Sequence, residues 1–160
     1  MIEFRPLAES DLPQIEEWLR REHVARWWRD DIQESLAEYR AGLEGREPTD
    51  HYLIVLDGRA IGMIQTYLVA DYQDWEEIVQ VGPGVAGVDI LIGDEDQVGR
   101  GLGPKILAQF VRDVVTADAV VATVEEPNRR SWRAFEKAGF RRVRDVEEEG
   151  LPHRLMRLDR

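Results

Sequence analysis

A glycine-rich segment, QVGRGLGPKIL at residues 97–107, places three glycines at alternate positions directly before an apolar run typical of a helix. Backbone N–H groups in the first turn of a helix have no partner within that helix and carry the positive end of its dipole. Glycines there let several N–H groups approach one anion without obstruction by Cβ atoms. The positive charge of Arg100 adds to this. The segment therefore predicts a diphosphate site formed by Gly99, Gly101 and Gly103.

Two better-known phosphate-binding patterns do not match this segment. A Walker loop ends in Gly-Lys followed by Ser or Thr, and the dinucleotide fingerprint has the spacing G-x-G-x-x-G. The spacing here is G-x-G-x-G. Because glycines also serve ordinary turns, the segment alone leaves a plain turn open as an alternative.

The charge and composition of the chain restrict its partners. Asp and Glu outnumber Lys and Arg by 32 to 21, for a formal net charge of −11. Such a chain repels nucleic-acid phosphates and anionic lipids, so we expect a cationic small molecule as partner, with no nucleic acid and no membrane. Solubility alone would also account for the acidity. There is no cysteine, and the three histidines are not at metal-ligand spacing, so no metal is expected.

No targeting or anchoring segment is evident. The start, MIEFRPLAESD, lacks a basic region followed by an apolar stretch, and the apolar runs are shorter than a membrane span. A chain of 160 residues can bury one core without disulfides. We expect a single domain over residues 1–160 in the cytoplasm, as a monomer or a homodimer.

The periodicity of apolar residues predicts the elements that position the glycine segment. Strands are predicted at residues 2–6, in two runs within 51–70 that flank a hairpin at Asp57-Gly58, at 85–93, at 119–125 and around a turn at Glu149-Gly150. Helices are predicted after a cap at Ser10 or Asp11, with Leu12, Ile15, Trp18 and Leu19 on one face, and at 31–43, 101–116 and 128–140, with a loop at 71–84. In the helix at 101–116, the inward residues are predicted to be Leu102, Ile106, Phe110, Val111 and Val114. The order predicts an α/β fold of the α+β type, with a central mixed, mostly antiparallel sheet flanked by about four helices.

The glycine segment and EEPNRRSWRAFEKAGF at residues 125–140 together resemble the signature pair of the GNAT superfamily of N-acetyltransferases. The resemblance implies the GNAT fold and acetyl-CoA as co-substrate. It also implies that the glycine segment holds the diphosphate of acetyl-CoA and that the preceding strand pairs with its pantetheine arm. The implied cofactor-binding residues are Ile90, Leu91, Ile92, Val98, Gly99, Arg100, Gly101, Leu102, Gly103 and Asn128.

Two positions depart from the superfamily pattern. Val98 stands where the superfamily usually has Gln or Arg, and Phe135 stands where it frequently has Tyr. That tyrosine is usually credited with protonating the departing CoA thiolate. A thiolate leaves readily because the pKa of a thiol is not far above neutrality, so acetyl transfer remains possible without the hydroxyl.

A narrower resemblance concerns EEWLRREHVARWW at residues 16–28 and DWEEIVQVGPGVAGVDILIG at residues 74–93. Both are similar to the aminoglycoside 6′-N-acetyltransferases of antibiotic-resistant bacteria. The likeness implies that Asp89 is the catalytic residue beside the 6′-amine, which is protonated at neutral pH and must lose a proton before it attacks a thioester. The implied substrate-binding residues are Trp28, Asp74, Trp75, Asp89 and Glu125.

Alternatives remain open for residues and for function. Trp28 could pack in the core, Asp89 could bond to backbone, and the contact assigned to Glu125 could fall on Val124 or Glu126. Glu76 and Glu77 are expected on a solvated loop face. The enzyme could instead be a lysine N-acyltransferase of siderophore type. A non-catalytic acyl-CoA-binding module would accord with Val98 and Phe135.

Overall fold

The computed structural model describes residues 1–160 and contains one seven-stranded sheet with the strand order β1-β2-β3-β4-β5-β7-β6. The strands are β1 (Ile2–Pro6), β2 (Thr49–Leu56), β3 (Arg59–Leu68), β4 (Val85–Ile92), β5 (Ala119–Glu125), β6 (Arg141–Glu148) and β7 (Leu151–Asp159). The helices are α1 (Leu12–Arg20), α2 (Glu22–Ala25), α3 (Ile32–Leu43), α4 (Gln73–Val79), α5 (Leu102–Asp113) and α6 (Arg129–Lys137). Strands β4 and β5 are parallel, whereas the pairs β1–β2, β5–β7 and β6–β7 are antiparallel. The predicted mixed sheet is confirmed.

The described residues form two compact units. The first comprises Met1–Thr66 and Asp89–Val98, and the second comprises Tyr67–Val88 and Gly99–Arg160. None of the helices has both the length and the hydropathy needed to cross a bilayer.

The first unit is built around the apolar face of α1. The residues predicted to share that face are all buried: Leu12, Ile15, Trp18 and Leu19. They pack with Leu36 and Tyr39 of α3 and with Leu53 and Met63 of the sheet. The hairpin between β2 and β3 turns at Asp57 and Gly58 with φ values of 49° and 84°, the left-handed geometry expected of this pair.

The second unit has its own apolar cluster, in which Val85 of β4, Val121 of β5 and Leu155 of β7 pack together. Helix α5 ends at Asp113, three residues earlier than predicted. Val114 directly follows α5, and the backbone N–H groups of Val114 and Val115 both donate to the carbonyl of Phe110, so the buried position moves along by one residue. Val115 is therefore buried, and the predicted inward residue Val114 is only half-buried.

The prediction of a loop at residues 71–84 is wrong. Helix α4 occupies Gln73–Val79. Two of its three apolar residues, Trp75 and Val79, lie one turn apart and pack into the cluster of the second unit, whereas Ile78 is exposed. Arg144 of β6 donates a hydrogen bond to the carbonyl of Val79. Glu76 is half-buried and accepts a hydrogen bond of 2.7 Å from the backbone N–H of Gly82, so the expected solvated position is wrong for this residue. A helix this short and polar has too few apolar positions for a periodic signal.

Candidate active site

In the first unit, the carboxylate of Asp89 lies next to the side chain of Gln65. Gln65 Nε2 donates a hydrogen bond of 3.0 Å to Asp89 Oδ2. Asp89 is on β4 and Gln65 is on β3, and both side chains are half-buried. The hydrogen bond orients the carboxylate while leaving Asp89 accessible to solvent in part.

Tyr39 of α3 belongs to the cluster against which Trp28 packs, and the charge of Asp89 acts on its hydroxyl. The tyrosine is only 2% exposed, and burial raises the pKa of its hydroxyl, as does the nearby negative charge of Asp89. The side chains of Trp28 and Ser35 lie near enough to oppose this rise in pKa. Two predicted site residues, Trp28 and Asp89, thus lie around one neutral tyrosine. Trp28 also packs against the core of the first unit, so its predicted contact with substrate and the packing alternative are compatible.

A buried histidine completes a cluster that is here called the Asp89 group and consists of Asp89, Gln65, Tyr39, Trp28 and His51. His51 of β2 is 8% exposed, and its ring meets that of Tyr39 edge to face, with the centroids 5.0 Å apart. Burial lowers the pKa of His51 from 6.5 to about 4, although a hydrogen bond with Gln65 and the charge of Asp50 each act to raise it. Helix α3 packs closely on the imidazole ring, since a Cβ on Gly42 of this helix would lie 2.8 Å from His51 Nε2. His51 is therefore a neutral imidazole at neutral pH.

The low pKa of His51 predicts a loss of stability in weak acid. The unfolded chain takes up a proton below pH 6.5, whereas the folded chain does so only near pH 4. Stability contributed by the neutral ring is therefore present above pH 6.5 and is lost as the pH falls toward 4. Between pH 7 and pH 5 this should remove about 2 kcal/mol from the free energy of unfolding. Urea titrations at both pH values measure the free energy of unfolding. Between pH 7 and pH 5 the His51→Gln variant should lose about 2 kcal/mol less of it than the native protein does. Equal losses in the two proteins would contradict the lowered pKa of His51.

The end of β4 is held by the segment that follows α1. The indole of Trp18 lies against Gly93, where an added Cβ would be 2.0 Å from Trp18 Cγ. Arg21 Nη1 donates a hydrogen bond of 2.8 Å to the carbonyl of Gly93, and His23 Nε2 lies 2.9 Å from the carbonyl oxygen of Ile92. Among the strand residues predicted to contact the cofactor, Leu91 is buried in the core, whereas Ile90 and Ile92 are half-buried.

In the second unit, residues 99–103 of the glycine segment, here called the glycine loop, have the geometry of an anion site. Gly99 and Gly101 have φ values of 80° and 74°, which favour glycine over any other residue. The backbone N–H groups of Gly101, Leu102 and Gly103, at the start of α5, donate no hydrogen bond within the protein. A Cβ on Gly101 would meet nothing within 4 Å. These three N–H groups are therefore open to an anion. The glycine loop thus fits the diphosphate that the sequence predicts.

Three side chains that the sequence does not bring together, Glu126, Trp132 and Arg154, fix the connection from β5 to α6. Arg154 donates two hydrogen bonds of 2.8 Å to the carboxylate of Glu126, and its Cζ lies 3.7 Å from the ring centroid of Trp132. Trp132 Nε1 donates to the carbonyl of Glu126. Asn128 is the residue directly before α6, and its side-chain amide makes no hydrogen bond to the first turn of that helix. Spacing in the sequence gives no signal for this group, because Arg154 belongs to β7.

The other predicted substrate residues also lie in the second unit, in different surroundings. Asp74 is exposed in the first turn of α4, and Trp75 is half-buried in the apolar cluster. Glu125 is buried at the end of β5, where it pairs in register with His153 of β7. The carboxylate of Glu126, the alternative to Glu125, is bound by Arg154. The roles of Asp74, Trp75 and Glu125 stay predictions.

The sequence pattern of the acetyltransferase (GNAT) domain matches residues 8–148, which include both the Asp89 group and the glycine loop. The chain belongs to the GNAT acetyltransferase family. It is 32% identical over 151 residues to aminoglycoside N(6′)-acetyltransferase type 1 of Klebsiella pneumoniae, a match that covers 88% of this chain and 74% of the relative. A kanamycin resistance protein of Rhizobium radiobacter is 35% identical over 81 residues, or 49% of this chain and 73% of that protein.

Solved structures of GNAT enzymes have the same fold. The structure of aminoglycoside acetyltransferase AAC(6′)-Ib in complex with coenzyme A has a TM-score of 0.87 and 30% identity, and the match covers 100% of this chain and 95% of that one. The same enzyme with coenzyme A and kanamycin has a TM-score of 0.86 and 31% identity, with the same coverage. The GNAT fold predicted from the sequence is confirmed.

At position 135 this GNAT chain has a buried phenylalanine in place of the superfamily tyrosine. Phe135 is 3% exposed and meets Phe140 edge to face, with centroids 5.0 Å apart. No hydroxyl is available at this position to protonate a thiolate. No group of three or more His, Asp or Glu side chains is arranged to hold a metal ion.

Proposed function

We propose that this GNAT protein transfers the acetyl group of acetyl-CoA to a primary amine of a polycationic small molecule, with the 6′-amine of an aminoglycoside as the acceptor. The observation that carries the proposal is the likeness, along the whole chain, to an enzyme solved with coenzyme A and kanamycin. The net charge of −11 supports a cationic acceptor.

The glycine loop would hold the diphosphate of acetyl-CoA. Its free N–H groups at Gly101, Leu102 and Gly103 supply three donors at the positive end of α5, and Arg100 supplies a formal charge. The side chain of Asn128, free of capping contacts, would bind the pantetheine arm. The bound co-substrate supplies an activated thioester carbonyl for attack.

Asp89 would act as the general base. In the reaction the amine nitrogen forms a bond to the acetyl carbon, and the carbon–sulfur bond breaks. The ammonium first gives one proton to the carboxylate of Asp89, directly or through one water, and the neutral amine then attacks. The second proton of the nitrogen passes to solvent water as the tetrahedral intermediate collapses, and the electron pair of the broken bond leaves with the CoA thiolate. The hydrogen bond from Gln65 orients the carboxylate for this step. With phenylalanine at position 135, the thiolate leaves without a tyrosine as acid, since its basicity is low.

Acidic and aromatic residues would bind the rest of the acceptor. Carboxylates at Asp74 and Glu125 would pair with further ammonium groups, and the indoles of Trp28 and Trp75 would stack on sugar rings and cations. Acetylation removes one positive charge and adds bulk, which should weaken binding of the product to anionic RNA. We also propose that residues 1–160 act as one acetyltransferase domain in the cytoplasm.

Thiol release tests the proposal directly. Incubation with acetyl-CoA and kanamycin should release free CoA thiol, and an aminoglycoside with a hydroxyl in place of the 6′-amine should give none. Equal rates with the two compounds would place the reacting amine elsewhere. A preference for a long-chain acyl-CoA with a lysine-type amine would favour the siderophore-type enzyme.

The buried phenylalanine favours one further candidate, a non-catalytic acyl-CoA-binding module, because the chain lacks the superfamily acid. Calorimetric binding of CoA without thiol release across a panel of amines would support this candidate and overturn the proposed enzyme.

A further inference from the structure

The basic side chains that have no hydrogen-bond or ion-pair partner in the protein all lie in the glycine loop, in α5 or in α6. Asp and Glu outnumber Lys and Arg by 32 to 21, so a basic residue in this chain has many acidic groups to pair with. All the other arginines of the chain have partners, as Arg59 has in Asp94 and Arg112 of α5 has in Asp113. The unpaired basic residues, all exposed, are Arg100, Lys105, Arg129, Arg130, Arg133 and Lys137.

One face of α6 lies along the glycine loop. A Cβ on Gly103 would lie 3.3 Å from Ala134 Cβ, and a Cβ on Gly99 would lie 3.8 Å from Arg130 Nη2. Arg130 and Ala134 are one helical turn apart, so the same side of α6 is next to both glycines. Arg133 and Lys137, at spacings of three and seven from Arg130, extend this side of the helix.

The local charge is opposite in sign to that of the chain. Within the glycine loop and α6, residues 99–103 and 129–137, the sole acidic residue is Glu136. An acidic protein that keeps one exposed surface basic and unpaired has a positive potential there, which attracts anions. The diphosphate of acetyl-CoA is already provided for by the three free N–H groups and Arg100. The positive charges of the α6 arginines are therefore additional to the groups that bind the diphosphate.

We propose that Arg130, Arg133 and Lys137, here called the α6 basic face, bind the phosphate monoester on the ribose of acetyl-CoA. This inference rests on the proposed function, which supplies the ligand. A phosphate monoester has close to two negative charges at neutral pH, and guanidinium groups bind it with paired hydrogen bonds. The α6 basic face thus makes the protein selective for CoA over analogues that have only the diphosphate.

Binding of CoA and 3′-dephospho-CoA, measured by calorimetry, tests the proposal without turnover. The two ligands share the diphosphate and the pantetheine arm and differ only in the ribose phosphate. The native protein should bind CoA at least about tenfold more tightly at low salt. In Arg130→Gln/Arg133→Gln this preference should fall to about twofold or less, with the affinity for 3′-dephospho-CoA nearly unchanged.

Arg112→Gln is the matched control. It removes one arginine from α5, but that guanidinium is exposed and already bonded to Asp113. This variant should keep the full preference for CoA. Equal affinity of the native protein for the two ligands, or an equal loss of both in the double variant, would overturn the proposal. Failure of the proposed function is distinguishable, because the protein would then bind CoA selectively and release no thiol with any aminoglycoside.

Discussion

Replacing Asp89 with Asn is expected to lower kcat for acetyl transfer by about 10²–10⁴-fold, the usual contribution of a general base. Asparagine has nearly the same shape and can still accept a hydrogen bond from Gln65 Nε2 through its carbonyl oxygen, so the local structure should persist. It cannot take the proton of the attacking amine. Thiol release with kanamycin measures kcat, and calorimetry should show unchanged affinity for CoA.

Asp96→Asn provides the control for this prediction. Asp96 lies seven residues further along the same unit and is exposed, so the variant removes the same charge at a position outside the Asp89 group. It should retain turnover within about twofold, since screening by salt weakens the effect of one surface charge. Full activity in Asp89→Asn would show that another group, or water alone, accepts the proton.

Replacing Gly93 with Ala is expected to have the largest effect on stability. The new Cβ would fall 2.0 Å from Trp18 Cγ, and Trp18 is only 2% exposed, so the indole cannot move into solvent. Overpacking of a core typically costs about 1–3 kcal/mol, and a clash with a ring this close should reach the upper end of that range. The free energy of unfolding from urea titration measures the loss.

A double-mutant cycle separates the clash from backbone effects. With Trp18→Leu in place, the ring is absent and Gly93→Ala should cost much less, giving a coupling energy of at least about 1 kcal/mol. Gly93 does not have a positive φ, so left-handed backbone strain is no part of the cost of Gly93→Ala. Equal costs of Gly93→Ala in both backgrounds would contradict the packing of Trp18 on Gly93.

Local periodicity predicted the elements whose apolar residues are numerous and regularly spaced. The face of α1 is buried as expected, because residues such as Ile15 and Trp18 recur at helical spacing over two turns. Helix α4 was missed, since three apolar residues within a seven-residue helix, Trp75, Ile78 and Val79, are too few to establish a period. The four-residue helix α2 was missed for the same reason.

The candidate site was only partly predictable. Asp89 and the glycines were identified from motifs that are continuous in the sequence. The surroundings of Asp89 were not, because Gln65 is 24 residues away in the chain and reaches the carboxylate through the alignment of strands. Tyr39 lies within the helix predicted at residues 31–43, and nothing in the sequence indicates its position relative to Trp28 and Asp89. Contacts of this kind depend on tertiary structure, which spacing does not encode.

The Glu126–Arg154–Trp132 group bears on the kinetics of coenzyme association. Its hydrogen bonds and its cation–π contact restrain the segment that contains Asn128. A binding segment that is preorganised loses little conformational entropy when a ligand arrives. Capture of the coenzyme at this segment should therefore be a single bimolecular step, with an observed rate that rises linearly with coenzyme concentration and no slower rearrangement to limit it.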